Sequence, residues 1–121
     1  MPDYGTTRFF TNTMTSGATL TPVYDLGPEG WDQMWLDLPS FSSASDVFIH
    51  AAPTSGSTFS RLRMVTENTA TAQSYDFKIP SGLSGRMVEI PGGLRYMKVE
   101  LSTGQTDVAL SFTVICKAGG G

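Results

Sequence analysis

Between residues 95 and 117 the chain alternates apolar and polar side chains almost one for one, a spacing that suits a half-buried β-strand and defeats a helix. Met97, Val99 and Leu101 fall on one face, with Tyr96, Lys98 and Glu100 on the other. Further on, Val108, Leu110, Phe112, Val114 and Cys116 repeat at period two against Ala109, Ser111, Thr113, Ile115 and Lys117. Upstream, Met87-Val88-Glu89-Ile90 runs into Pro91-Gly92-Gly93, where proline fixes φ and two glycines leave it open, the chemistry of a turn. Residues 86–117 therefore read as three successive antiparallel strands, a meander. They contain no set of side chains suited to catalysis.

The same punctuation by Gly, Pro, Asn and Ser divides the chain from residue 20 onward into about eight short β segments. They lie near residues 20–26, 33–38, 46–51, 59–66, 74–79, 86–90, 94–101 and 107–117. Helical periodicity is never sustained for ten residues, and the loops are too short for the crossovers of a parallel sheet. The expected fold is all-β, an antiparallel β-sandwich of about eight strands, jelly-roll-like, with an extended N-terminal arm. At 121 residues one domain is expected, large enough to bury roughly 65% of its unfolded surface. The expected division is an arm at 1–17, a sandwich at 18–117 and a flexible tail at 118–121.

The arm has its own texture, threonines interleaved with Tyr4, Arg8, Phe9, Phe10 and Met14. It does not alternate cleanly, and only a short strand near residues 8–12 is expected within it. Extended, such a segment reaches on the order of 50 Å, enough to lie across a neighbouring subunit. The plainer alternative is a frayed terminus. The aromatic pair Phe9-Phe10 favours docking, since solvated tails seldom carry one.

Charge narrows the function. Eight Lys and Arg against eleven Asp and Glu give a net charge of −3 without basic blocks, so no direct nucleic-acid partner is expected, since phosphate demands a basic field. Charged residues make up only 16%, against roughly 25% in ordinary domains. Such a hydroxyl-rich, weakly charged surface belongs either to a β-protein with polar loops or to one partly covered by neighbours. The single Cys116 has no disulfide partner and sits on an apolar strand face. The N-terminus has neither a basic stretch nor an apolar core like that of a signal peptide, and no run approaches a membrane span. A soluble protein made in the cytosol, with no membrane partner, is expected.

The inventory for chemistry is short. His50 is the only histidine, which rules out paired-imidazole metal sites and reads as an ordinary strand residue opposite Val47, Ile49 and Ala51. No Gly-x-Ser-x-Gly elbow frames a serine. Asp25, Glu29, Asp32 and Asp37 cluster around Gly27-Pro28-Glu29-Gly30, where solvated turn carboxylates are favoured over calcium ligands or a glycosidase pair. The segments Ser55-Gly56-Ser57 and Ser81-Gly82-Leu83-Ser84-Gly85 lack the Gly-Lys-Ser/Thr ending of a phosphate loop and read as turns. No enzyme, metal or cofactor is expected.

Two features are candidates for contact with a partner. Trp31, Gln33, Trp35 and Asp37 would share a face opposite Met34, Leu36 and Leu38, placing both tryptophans away from the core and at an interface. In the alternative, Trp35 is buried at a sheet end and Trp31 packs a loop. Arg61 and Arg63 share a face opposite Leu62 and Met64, either solvated or paired with a partner's carboxylates.

A tail of irregular pattern, then Val23-Tyr24-Asp25-Leu26-Gly27, then short strands, then Val88-Glu89-Ile90-Pro91-Gly92-Gly93-Leu94-Arg95-Tyr96-Met97-Lys98-Val99 and a long final strand resemble the small capsid cement, or decoration, proteins of tailed bacteriophages. The resemblance covers residues 20–117. It implies a jelly-roll or related sandwich, commonly a homotrimer, assembled in the host bacterial cytoplasm and bound to the major capsid protein on the outside of the head. It implies no catalysis and no cofactor. The alternative is a carbohydrate- or receptor-binding β-sandwich module, in which exposed tryptophans stack on sugar rings; for it, Trp31, Asp32 and Trp35 are the available residues.

Overall fold

The computed structural model describes residues 6–28, 30–66, 73–106 and 109–118. Within them the chain forms strands β1 (Thr7–Met14), β2 (Tyr24–Asp25), β3 (Gln33–Asp37), β4 (Val47–Ala52), β5 (Ser60–Arg61), β6 (Arg63–Thr66), β7 (Gln73–Asp76), β8 (Lys78–Ile79), β9 (Met87–Ile90), β10 (Tyr96–Leu101) and β11 (Leu110–Lys117). A single 3-10 turn, Ser81–Leu83, interrupts them. The all-β expectation holds.

Four strands pair in the order β1-β11-β3-β9, and a second sheet runs β2-β10-β4-β5, with β8 also on β4. All of these pairings are antiparallel. β5 meets β4 at His50 and Ala51 while β8 meets it at Val47 and Phe48, so the two short strands share one edge position. Between them the β6–β7 ribbon leaves the sheet and returns. Treated as one interrupted strand, β5 and β8 complete a nested series, first strand with last, second with second-last, third with third-last, and the middle two together. A long hairpin rolled into two sheets has that pairing, which is a jelly roll.

The meander expected at residues 86–117 does not form. β9 pairs with β3, β10 with β2 and β4, and β11 with β1 and β3, so consecutive strands switch sheets. Period-two alternation fixes which side chains face the core. It carries no information about the neighbouring strand, and loops 91–95 and 102–109 are long enough to cross between sheets about 10 Å apart. The Pro91-Gly92-Gly93 turn is thus a corner between layers. An added Cβ at Gly92 would lie 2.6 Å from the Asp32 carbonyl oxygen and 2.9 Å from that of Trp31, and the Gly93 N–H donates to the same Trp31 carbonyl at 2.8 Å.

Within the segment expected as an arm, the described residues 7–14 belong to the sheet. Thr7–Met14 pairs with β11 along its whole length, from Thr7 opposite Lys117 to Met14 opposite Leu110. Phe10, Asn12 and Met14 turn inward, and the Asn12 amide donates to the Pro22 and Val23 carbonyls. The short strand expected near residues 8–12 thus extends over Thr7–Met14, with the polar Asn12 accommodated on its inward face by those two carbonyls. In the other direction, the long strand expected at residues 20–26 shrinks to Tyr24–Asp25 plus an isolated bridge of Leu20 to Glu100. Pro22 has no N–H to give, and the Thr21 hydroxyl accepts from the Val99 N–H instead.

Between the sheets lies an apolar core that includes Leu26, Trp31, Met34, Leu36, Ile49, Met97, Val99, Phe112 and Val114. Cys116 is buried among them. Two polar handles reach into it. The Tyr24 hydroxyl donates to the Phe112 carbonyl at 2.5 Å, tying the two sheets, and the Trp31 indole N–H donates to the Leu26 carbonyl at 2.7 Å. Burial raises the Tyr24 pKa, so the hydroxyl remains a donor.

Two outcomes test this architecture. Removing residues 1–14 uncovers β11 and is expected to abolish cooperative thermal unfolding measured by circular dichroism; an arm would come off with the melting transition intact. Gly92→Ala is expected to cost about 2 kcal/mol or more in chemical denaturation, because backbone on both sides must shift. Gly56→Ala, where an added Cβ meets nothing within 4 Å, is expected to be near neutral or slightly stabilising.

Candidate functional site

The two sheets present opposite characters to solvent. On the outer face of the four-stranded sheet, register places Phe9, Ile115, Trp35 and Glu89 in one row across β1, β11, β3 and β9. The next row is Thr11, Thr113, Asp37 and Met87. Phe9 is 66% exposed and Met87 59%, while Trp35 and Ile115 are half-buried by their neighbours. Three adjacent apolar side chains thus cross a sheet face that nothing in the described chain covers. Thr11 and Thr113 hydroxyls bond each other at 2.8 Å beside them.

The five-stranded sheet is instead covered by a network of charges. Arg61 spans Glu100 with two donors, Nε to Oε1 at 2.8 Å and Nη2 to Oε2 at 2.9 Å, and reaches Asp76 with Nη1 at 3.1 Å. His50 Nε2 shares Glu100 Oε1 at 2.6 Å, and Arg63 Nη1 donates to Asp76 at 2.9 Å. The Arg61 guanidinium lies 3.8 Å above the Phe48 ring, which is why an outward phenylalanine is 8% exposed. Lys98 caps Phe59 in the same way. The network fastens the base of the β6–β7 ribbon to the sheet. Bonds from Arg61 first, and from His50, pull the Glu100 carboxyl down from 4.5 to about 2, and the same carboxylates raise the pKa of Arg61.

The candidate residues separate accordingly. Tyr4 lies outside the described residues, as does Glu29 of the acidic turn. Arg8 and Phe9 are exposed on β1, whereas Phe10 packs edge-on to Trp31 at a centroid distance of 6.4 Å. Trp31 is 1% exposed, which overturns its expected place beside Trp35 on an outer face. β3 begins at Gln33, and Gly30 at φ +67° redirects the chain before it, so counting by twos back to residue 31 crosses out of the strand. Arg61 and Arg63 are neither simply solvated nor waiting for a partner's carboxylates; Asp76 and Glu100 of the same chain engage them.

At one end of the sandwich an open cleft of about 350 Å³ is lined by Ala51, Ala52, Pro53 and residues 93–96. Arg95 there stacks over Tyr96 and donates to Asp25 at 3.2 Å; the Gly27 N–H, then Arg95, lowers the Asp25 pKa. With Trp31 buried and Trp35 elsewhere, the two-tryptophan platform of a sugar-binding site is absent. Among the described residues no cluster of His, Cys, Asp or Glu has the arrangement of a metal site.

No protein-family model and no curated protein sequence matches this chain. Among solved structures it is similar to the SPBc2 prophage-derived protein YomS, with a TM-score of 0.56 and 13% identity over 98% of this chain and 96% of that one. The likeness is one of fold. It spans both proteins almost end to end.

Sequence reasoning missed the charge network because its members are far apart, at positions 50, 61, 76 and 100. Only the alternation that put His50 and Glu100 on outward faces hinted at it. Since the Glu100 value is depressed on folding, its contribution is complete above about pH 4.5 and is lost as pH falls toward about 2. Glu100→Gln is expected to flatten the stability loss across that window in pH-dependent urea unfolding. At neutral pH it is expected to lower stability by about 1–2 kcal/mol, discounted for partial solvent screening.

Proposed function

We propose that this chain is a structural virion protein of a tailed phage, a cement or decoration protein bound on the outside of the head to the major capsid protein. The observation that carries the reading is the uncovered apolar row Phe9–Ile115–Trp35 with Met87 beside it. A jelly roll with a filled core, whose charge network on the other sheet is satisfied within the chain, offers its chemistry at the surface, and this face is where contact with another protein removes apolar area from water. Support also comes from the fold shared with a prophage-derived protein and from the sequence resemblance to cement proteins.

The physical role follows from linkage. A shell under pressure from packaged DNA fails at the junctions between capsomers. A protein that touches several subunits makes rupture of one junction depend on loss of its other contacts, raising effective concentration without strong individual contacts. Trp35 and Phe9 serve as the anchors, since large aromatics at the centre of a patch contribute most of the affinity. The reaction mechanism is empty on this reading. The cluster of charges is architectural, and neither His50 nor the turn carboxylates act on a substrate.

Imaging of virions from the phage that encodes this chain is expected to show it on the icosahedral shell, and particles lacking it are expected to lose DNA sooner on heating, in low salt or after osmotic shock. Re-addition of the purified protein should restore resistance, and Trp35→Asp should not. Particles that withstand all three treatments equally well without the protein, or density on the tail instead of the shell, would sink the proposal. Glycan binding that vanishes in Trp35→Ala would favour the sugar-binding alternative.

A further inference from the structure

The four-stranded sheet ends on one side in a long open edge. Across β1 and β11 the Ala118 N–H donates to the Thr6 carbonyl, and the register carries that phase along the ladder, so even-numbered β1 residues bond β11. The N–H and C=O groups of Thr7, Phe9, Thr11 and Thr13 therefore point away from the sheet. Among the described residues none of these eight groups has a protein partner. The other sheet margins are blunted by brevity: β9 has four residues and is followed by Pro91, and β2, β5 and β8 have two each. β1 has eight, TRFFTNTM, without proline, glycine, lysine or an acidic residue. Natural sheets guard such an edge unless it is used.

We propose that the occupant of this edge is β1 of a second copy, paired antiparallel about a twofold axis at Phe10. In that register Thr7 meets the partner's Thr13 and Phe9 meets the partner's Thr11, so all four outward residues of each strand bond through the backbone. Side chains match on both faces. Phe9 against a β-branched threonine is a favourable cross-strand pair, the two Phe10 residues meet at the axis, and Arg8, the only charge in the strand, falls opposite Asn12 instead of its own image. The join makes one eight-stranded sheet, β9-β3-β11-β1 continued by its mirror sequence, and brings two apolar rows together on a single broad face. A like-to-like edge closes at two copies, where the family resemblance implied three. The pairing rests on strand geometry alone and stands apart from the proposed place on a capsid.

Sedimentation equilibrium of the purified full chain over a range of concentrations is the direct test. The expected species is twice the 13.0 kDa chain, in exchange with monomer. Thr11→Pro removes an edge N–H without touching the β11 ladder and is expected to leave a folded monomer. In the unaltered chain, hydrogen exchange should show protection of the Thr7, Phe9, Thr11 and Thr13 amides that grows with concentration, alongside constant protection of Phe10 and Asn12. A monomer at all concentrations, a mass of three chains, or a dimer that survives Thr11→Pro overturns the pairing. So does a dimer whose four edge amides exchange freely, a readout that decides alone should Thr11→Pro fail to fold.

Discussion

The pairing of the first described strand with the last is the contact on which the rest of this protein depends. β11 lies between β1 and β3, so its even-numbered residues bond one neighbour and its odd-numbered residues the other. Its inward side chains, Leu110, Phe112, Val114 and Cys116, are buried in the centre of the core. Every other pairing nests inside this closure. Residues 7 and 117 come together only after the intervening chain has been folded back on itself, which places most of the loop-closure entropy ahead of the contacts that offset it. Neither sheet has two apolar faces, so neither is stable without the other. The Tyr24 to Phe112 hydrogen bond across the core follows from that mutual dependence: it satisfies a buried hydroxyl by joining the layers.

Period two made the inward faces of β3, β10 and β11 legible, and the turn residues placed the breaks between segments. Pairing was not legible, because an alternating strand presents the same pattern whichever neighbour it bonds. Thus Met97, Val99 and Leu101 were identified as core residues from a meander that does not exist. The β1 strand was under-read for a related reason. Asn12 looks like a break in an apolar face until the Pro22 and Val23 carbonyls that receive its amide are known. At Trp31 the failure was one of phase, since a glycine in the left-handed region ends the strand's count before it reaches the tryptophan. Of the candidate contact residues, Phe9 is exposed and Trp35 half-buried on the outer face of the four-stranded sheet, Phe10 lies half inside, and the arginines are engaged within the chain.

The small number of charges sharpens the contrast between the two outer surfaces. Arg61 and Arg63 neutralise Asp76 and Glu100 over the five-stranded sheet and, with His50 bonded to Glu100, hold a ribbon against it. An exposed pair of this kind contributes little by itself, but a shared carboxylate and a ring beneath the guanidinium turn several weak contacts into one ordered patch. Among the described residues the four-stranded sheet has no equivalent cover. A protein that attaches from one side has reason to differ in this way: the locked face stays soluble, while the uncovered one retains apolar area to lose on contact.

Both the uncovered face and the open edge belong to β1. Phe9 contributes its ring to the row beside Ile115 and its backbone to the edge. In a strand these directions are perpendicular, side chains standing off the sheet while N–H and C=O lie within it. One segment can therefore join two copies in the plane of the sheet and still present a side chain to a third surface above it. The consequences multiply, because joining two sheets edge to edge places two apolar rows on one rigid surface, and a second attachment then forms at the effective concentration set by the first. Weak rows of three side chains suffice under that arrangement. For the proposed contacts, a flat face, a matching edge and a core stiff enough to hold them in register take the place of a deep pocket or a buried charge.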